Sequence, residues 1–134
     1  MIAHIGGPYW VAKDRSWTIP KGLREPDETD LLAVAEREFT EEMGTPPPPG
    51  DTHELGSVLS GNKKIIIFAR NGDFDAASMT SNTFSMEWPP HSGRMQDFPE
   101  VDQADWCNLI TAESKLVTAQ IPFLSRLEAA LAQA

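Results

Sequence analysis

Cysteine is almost absent: Cys107 is the single thiol in 134 residues. An internal disulfide is therefore excluded. A lone Cys suits a reducing cytoplasm, where its ordinary place is that of a small buried apolar side chain. No apolar run approaches the roughly 20 residues that span a bilayer, and Met1 does not open a secretory-leader pattern. Neither a membrane partner nor export is expected. Basic residues are scarce too, 11 against 20 acidic ones, for a formal charge of −9. That balance argues against a nucleic-acid-binding face, which needs clustered lysine and arginine. An acidic chain can still take a polyphosphate if metal ions and a few basic side chains reverse the local potential. Internal repeats and composition breaks are missing as well. With 40% hydrophobic residues and four tryptophans, residues 1–134 read as one globular domain.

What the chain does have is a loop feeding a glutamate-rich helix, from Trp17-Thr18-Ile19-Pro20-Lys21-Gly22 to Arg37-Glu38-Phe39-Thr40-Glu41-Glu42-Met43-Gly44. Wound at about 100° per residue, a helix over 29–43 brings Glu38, Glu41 and Glu42 within about 100° of one another. Leu32, Ala35, Phe39 and Met43 form the adjoining apolar stripe, and Glu36 and Thr40 are expected to face water. Gly44 stands where a left-handed capping residue is wanted, and Pro46 prevents continuation. Carboxylates this crowded beside an apolar stripe resist ionisation unless a positive charge sits among them. A hard divalent cation with oxygen ligands supplies one; magnesium takes a few carboxylates plus substrate phosphates.

These residues resemble the Nudix box of the Nudix hydrolase superfamily, over about 22–45. Gly22, five residues and Glu28 match its opening, and Arg37-Glu38-Phe39-Thr40-Glu41-Glu42-Met43-Gly44 matches its core in register. Two departures stand out. Eight residues separate Glu28 from Arg37 where the box has seven, which lengthens the loop around 25–30, and Thr45 replaces a terminal apolar residue. Tryptophan followed by Pro20-Lys21-Gly22 is similar to members that cleave dinucleoside polyphosphates. The segments at 6–10, 81–90 and 93–102 are similar to a bacterial Nudix group described as predicted NTP pyrophosphohydrolases.

The rest of the chain reads as small strands and loops. Residues 1–5 predict a short strand and Gly6-Gly7-Pro8 a turn. Nudix domains carry more chain before the box, so the resemblance implies that the first strand is missing. The chain is then trimmed at its start, or the sheet edge is bare, or a second copy fills it as a homodimer. Residues 53–59 and 63–69 predict a hairpin through Ser60-Gly61-Asn62, and Ile65 to Phe68 reads as a strand buried on both faces. His53 has no partner at ligand spacing. Phe84, Met86 and Trp88 alternate as one apolar face of an extended segment, with Glu87 on the other side, and 89–94 forms a loop. From Pro122, with Phe123, Leu124, Leu127 and Leu131, a packing helix is expected.

The resemblance implies an α+β fold, an α/β/α sandwich around a mixed β-sheet. It also implies Mg²⁺-dependent hydrolysis, with Mn²⁺ as an alternative ion, of a phosphoanhydride in a nucleoside diphosphate linked to another moiety. Glu38, Glu41 and Glu42 would be metal ligands, joined by the carbonyl of Lys21. Glu41 or a later carboxylate, Glu100 ahead of Glu87, would serve as general base. Gly22, Glu28, Arg37 and Gly44 would be structural, with Arg37 orienting the glutamates. Lys21, Arg24, Lys64 and Arg94 are the candidates for binding phosphates. The contrasting reading is a Nudix-fold module that senses a nucleotide without turning it over, which the intact Glu38, Glu41 and Glu42 disfavour.

Overall fold

The computed structural model describes residues 1–20 and 29–132. Lys21, Gly22, Arg24 and Glu28 lie outside the described residues. The strands are β1 (Ile2–Ile5), β2 (Trp17–Thr18), β3 (Thr52–Ser60), β4 (Lys63–Arg70), β5 (Thr83–Glu87), β6 (Met95–Pro99) and β7 (Val101–Asp105). The helices are α1 (Leu31–Met43), α2 (Leu109–Lys115) and α3 (Pro122–Ala132).

β1 organises the core. Its neighbours are β2 and β7, both antiparallel, with Ala3 opposite Thr18 on one side and Ala104 on the other. Because successive strand residues point to opposite faces, Ile2 and Ala3 enter different clusters. Ala3 packs with Met43 of α1 and with Val101 and Ala104 of β7, and Phe39 and Phe74 close around them. Ile2 packs with Ala112 of α2 and Leu116, and Trp17, Cys107 and Leu124 of α3 complete that side. Helices thus cover both faces of the small sheet, which is the α/β/α layering expected. β1 itself is not a sheet edge, since β2 and β7 pair with both its sides.

The other strands form two hairpins, β3–β4 and β5–β6. Every named strand pair is antiparallel, and Trp17 and Leu116 add a parallel bridge. The β3–β4 turn is Gly61-Asn62, with Gly61 at φ 62°. Burial of Ile65 to Phe68 on both faces is not observed: Ile67 is buried, whereas Ile65, Ile66 and Phe68 are half-buried. The physical reason is that β4 pairs with β3 alone, and its side chains border a cavity of about 880 Å³ that is also lined by Leu32, Phe39 and Phe123. α3 is tied to this hairpin at its irregular register, where the Arg126 guanidinium donates to the carbonyls of Leu55 (3.0 Å) and Ser57 (2.8 Å). The expected α3 stripe buries Phe123 and half-buries Leu124 and Leu127, but Leu131 is exposed.

Among the described residues no helix is long and apolar enough to cross a membrane.

Candidate active site

α1 begins at Leu31, two residues after the expected start, because the Asp30 carboxylate caps it by accepting from the amides of Leu32 (3.1 Å) and Ala33 (3.2 Å). It ends at Gly44, at φ 86°, whose amide donates to the Thr40 carbonyl at 2.8 Å. Between these caps the inward residues are Val34, Glu38, Glu42 and Met43. Two of the clustered glutamates therefore lie on the buried flank of the helix, next to the apolar stripe. Glu41, one step toward solvent, is half-buried.

Arg37 lies on the same side. Its guanidinium donates to Glu41 Oε1 at 2.9 Å, one turn along the helix, and reaches Glu38 Oε1 at 3.0 Å. It fixes the orientation of both carboxylates through charge-assisted bonds. The Glu38 carboxyl is nonetheless pushed above the usual glutamate range. Burial is the largest cause; the charge of Arg37 opposes it, and the charges of Glu41 and Glu100 add to it. Glu100 is thus close enough to be felt at Glu38, although 62 residues separate them in the chain.

The link between the two is backbone. The Asn82 amide donates to the Glu41 carbonyl at 2.8 Å, and the Asn82 carbonyl accepts from the Glu100 amide at 2.8 Å. The Glu100 carbonyl in turn accepts from the Gly6 amide at 2.9 Å. A Cβ on Gly6 would lie 1.9 Å from the Pro99 carbonyl oxygen, so this contact requires glycine.

Other expected residues take different places. Glu36 does not simply face water: its carboxylate meets Arg70 at 3.4 Å, and Arg70 also donates to Thr52 Oγ1 (2.9 Å) and to the Pro48 carbonyl (3.3 Å). Thr40, likewise expected to face water, is half-buried and donates its hydroxyl to the Glu36 carbonyl at 2.8 Å. Arg94 is exposed at the turn end of β5–β6, six residues from Glu100, which is about 20 Å along a strand. Lys64 is exposed at the tip of β3–β4, at the far end of the strand from Arg70. Neither is brought to the carboxylates in contact. Glu87 serves the turn that follows it, accepting from the His91 amide at 2.6 Å.

Glu38, Glu41 and Glu42 form the donor set that would hold a hard divalent cation. Among the described residues no three acidic, histidine or cysteine side chains already converge at metal-holding distance. The chemistry of the set nevertheless suits such an ion. It offers carboxylate oxygens only, Glu38 and Glu42 are each 7% exposed, and Glu38 resists ionisation beside two further acids. The residues fit the cation in kind and in charge.

A family model described as NUDIX domain matches residues 6–127. The chain belongs to the Nudix family. No curated protein and no solved structure is found to be significantly similar to it. As a Nudix hydrolase it acts on phosphorus-containing anhydrides, with pyrophosphohydrolase-type activity. The match begins at Gly6 and so takes in the 80–82 segment and Glu100 as well as the box. The sequence reading missed the Asn82 crossing. Its signal lay in the polar Ser81-Asn82 pair before the alternating strand, which a hydrophobic pattern treats as loop.

Proposed function

We propose that this Nudix hydrolase cleaves a phosphoanhydride in a nucleoside diphosphate linked to another moiety, an NTP or a dinucleoside polyphosphate, with Mg²⁺ or Mn²⁺. The observation that carries the reading is Glu38: a buried carboxyl, bonded to Arg37 and sensing both Glu41 and Glu100. Glu38, Glu41 and Glu42 would hold the cation, with the Lys21 carbonyl as a further ligand. When bound, the ion supplies neutralisation of the diphosphate and a more acidic water. Arg37 keeps the Glu38 and Glu41 oxygens in a fixed orientation while charge accumulates on the phosphate oxygens. A carboxylate oxygen of Glu41 or Glu100 takes the proton from the attacking water. Lys21 and Arg24 would bind the outer phosphates. The cavity of about 880 Å³ that Glu38 borders has room for a nucleoside. The lone Cys107 suits a cytoplasmic setting.

The test is a panel of NTPs, dinucleoside polyphosphates and nucleotide sugars, each with Mg²⁺ and with Mn²⁺. Metal-dependent release of phosphorylated products, lost by about 100-fold or more in Glu41→Gln, is the expected result. Nucleotide binding without turnover by the wild-type protein would overturn the reading in favour of a sensor.

A further inference from the structure

Glu100 is exposed and follows Pro99 at the crossing between β6 and β7, a place where backbone freedom would move its carboxylate. Several bonds remove that freedom, and one side chain makes two of them. The Ser81 hydroxyl donates to the Asn82 carbonyl at 2.7 Å, and its oxygen accepts from the Val101 amide at 3.0 Å. The Asn82 carbonyl is the same atom that accepts from the Glu100 amide at 2.8 Å. The segment carrying Ser81 is itself fixed to the end of the box helix, because the Thr80 amide donates to the Met43 carbonyl at 3.1 Å and the Asn82 amide to Glu41 at 2.8 Å.

We propose that Ser81 is a positioning residue for Glu100, a clamp that fixes the stretch of backbone from which the late carboxylate projects. A hydroxyl is suited to the task because it donates and accepts at once. Alanine would leave the amide of Val101, a residue 2% exposed, without its partner and would loosen the crossing that carries Glu100, leaving Glu100 held by its own backbone bonds to Asn82 and Gly6. Threonine keeps both bonds. The role of Glu100 rests on the function proposed above; the clamp itself rests on the hydrogen bonds alone.

The experiment compares Ser81→Ala, Ser81→Thr, Glu100→Gln and the Ser81→Ala/Glu100→Gln pair, using whichever panel substrate the wild type turns over. It also follows native-state hydrogen exchange of the Glu100 and Val101 amides. Ser81→Ala is expected to lower kcat about tenfold with KM little changed, and Ser81→Thr to restore it. With Gln at position 100, Ser81→Ala should change kcat by less than about twofold, since the clamp would have nothing left to position. The Glu100 and Val101 amides should exchange about tenfold faster in Ser81→Ala and not in Ser81→Thr. An equal loss of kcat whether or not Glu100 is present would overturn the positioning role. Val101 exchange identical in Ser81→Ala and wild type would overturn the clamp, whether or not the protein has activity. A wild type without turnover but with the expected exchange pattern would defeat the reading of Glu100 and leave the clamp standing.

Discussion

Glu38, a proposed cation ligand, is held in the fold at a cost to stability. Its carboxyl is raised above the ordinary glutamate range, first by burial and then by Glu41 and Glu100, against the pull of Arg37. A carboxyl raised in the folded state binds more protons there than in the unfolded chain. Its contribution to stability is therefore greatest at acidic pH and is lost as pH rises from the ordinary glutamate value through the raised one. Without divalent cations, Glu38→Gln should raise Tm at pH 7 by about 3 °C and should flatten the fall in Tm between acidic and neutral pH. The same substitution should lower turnover by about 100-fold or more. Calorimetry of both proteins across that pH range checks the first part. A lower Tm in Glu38→Gln at pH 7 would mean that the carboxylate is already well compensated. Binding of a cation should reverse the order, because an ion that binds only the folded state stabilises the wild type more than the variant.

At the scale of an element, α1 is defined at its ends by local chemistry and oriented by distant partners. Gly44 has φ 86°, and a Cβ there would lie 2.6 Å from the Thr80 carbonyl oxygen. Gly44→Ala therefore meets a left-handed backbone and a backbone collision together, and should destabilise the protein by about 2 kcal/mol or more. Urea unfolding measures it; a midpoint equal to wild type would contradict the close approach of 80–82 to the helix. The glycine cap, the Gly61-Asn62 hairpin and the β5 alternation were legible in the sequence because each depends on a few neighbouring residues. The 3.6-residue period likewise showed that Glu38, Glu41 and Glu42 share a face. It could not show that Glu38 and Glu42 fall on the buried flank, since that depends on where Met43 and Phe39 find Ala3 and Phe74. Glu36 was expected in water for the same reason: Arg70, its partner, lies 34 residues away. Ile65 to Phe68 had the composition of a doubly covered strand, but composition does not reveal that β4 pairs with β3 alone.

At the scale of the whole molecule, the proposed site is gathered from three stretches that only the fold unites: 37–42 on α1, 80–82 beside its end, and Glu100 before β7. A local motif reports the first of these and is silent about the other two. The sheet around β1, with helices on both faces, sets α1 and β7 against each other through Met43, Ala3 and Val101. The proposed function requires that the acidic flank of α1 hold a divalent cation. Titration of Mn²⁺ followed by electron paramagnetic resonance, on wild type, Glu38→Gln and Glu42→Gln, measures it directly. Saturable binding by the wild type, weakened by about tenfold or more in each variant, is the predicted result. Equal Mn²⁺ affinity in all three proteins, or no binding by the wild type even with nucleotide present, would contradict it.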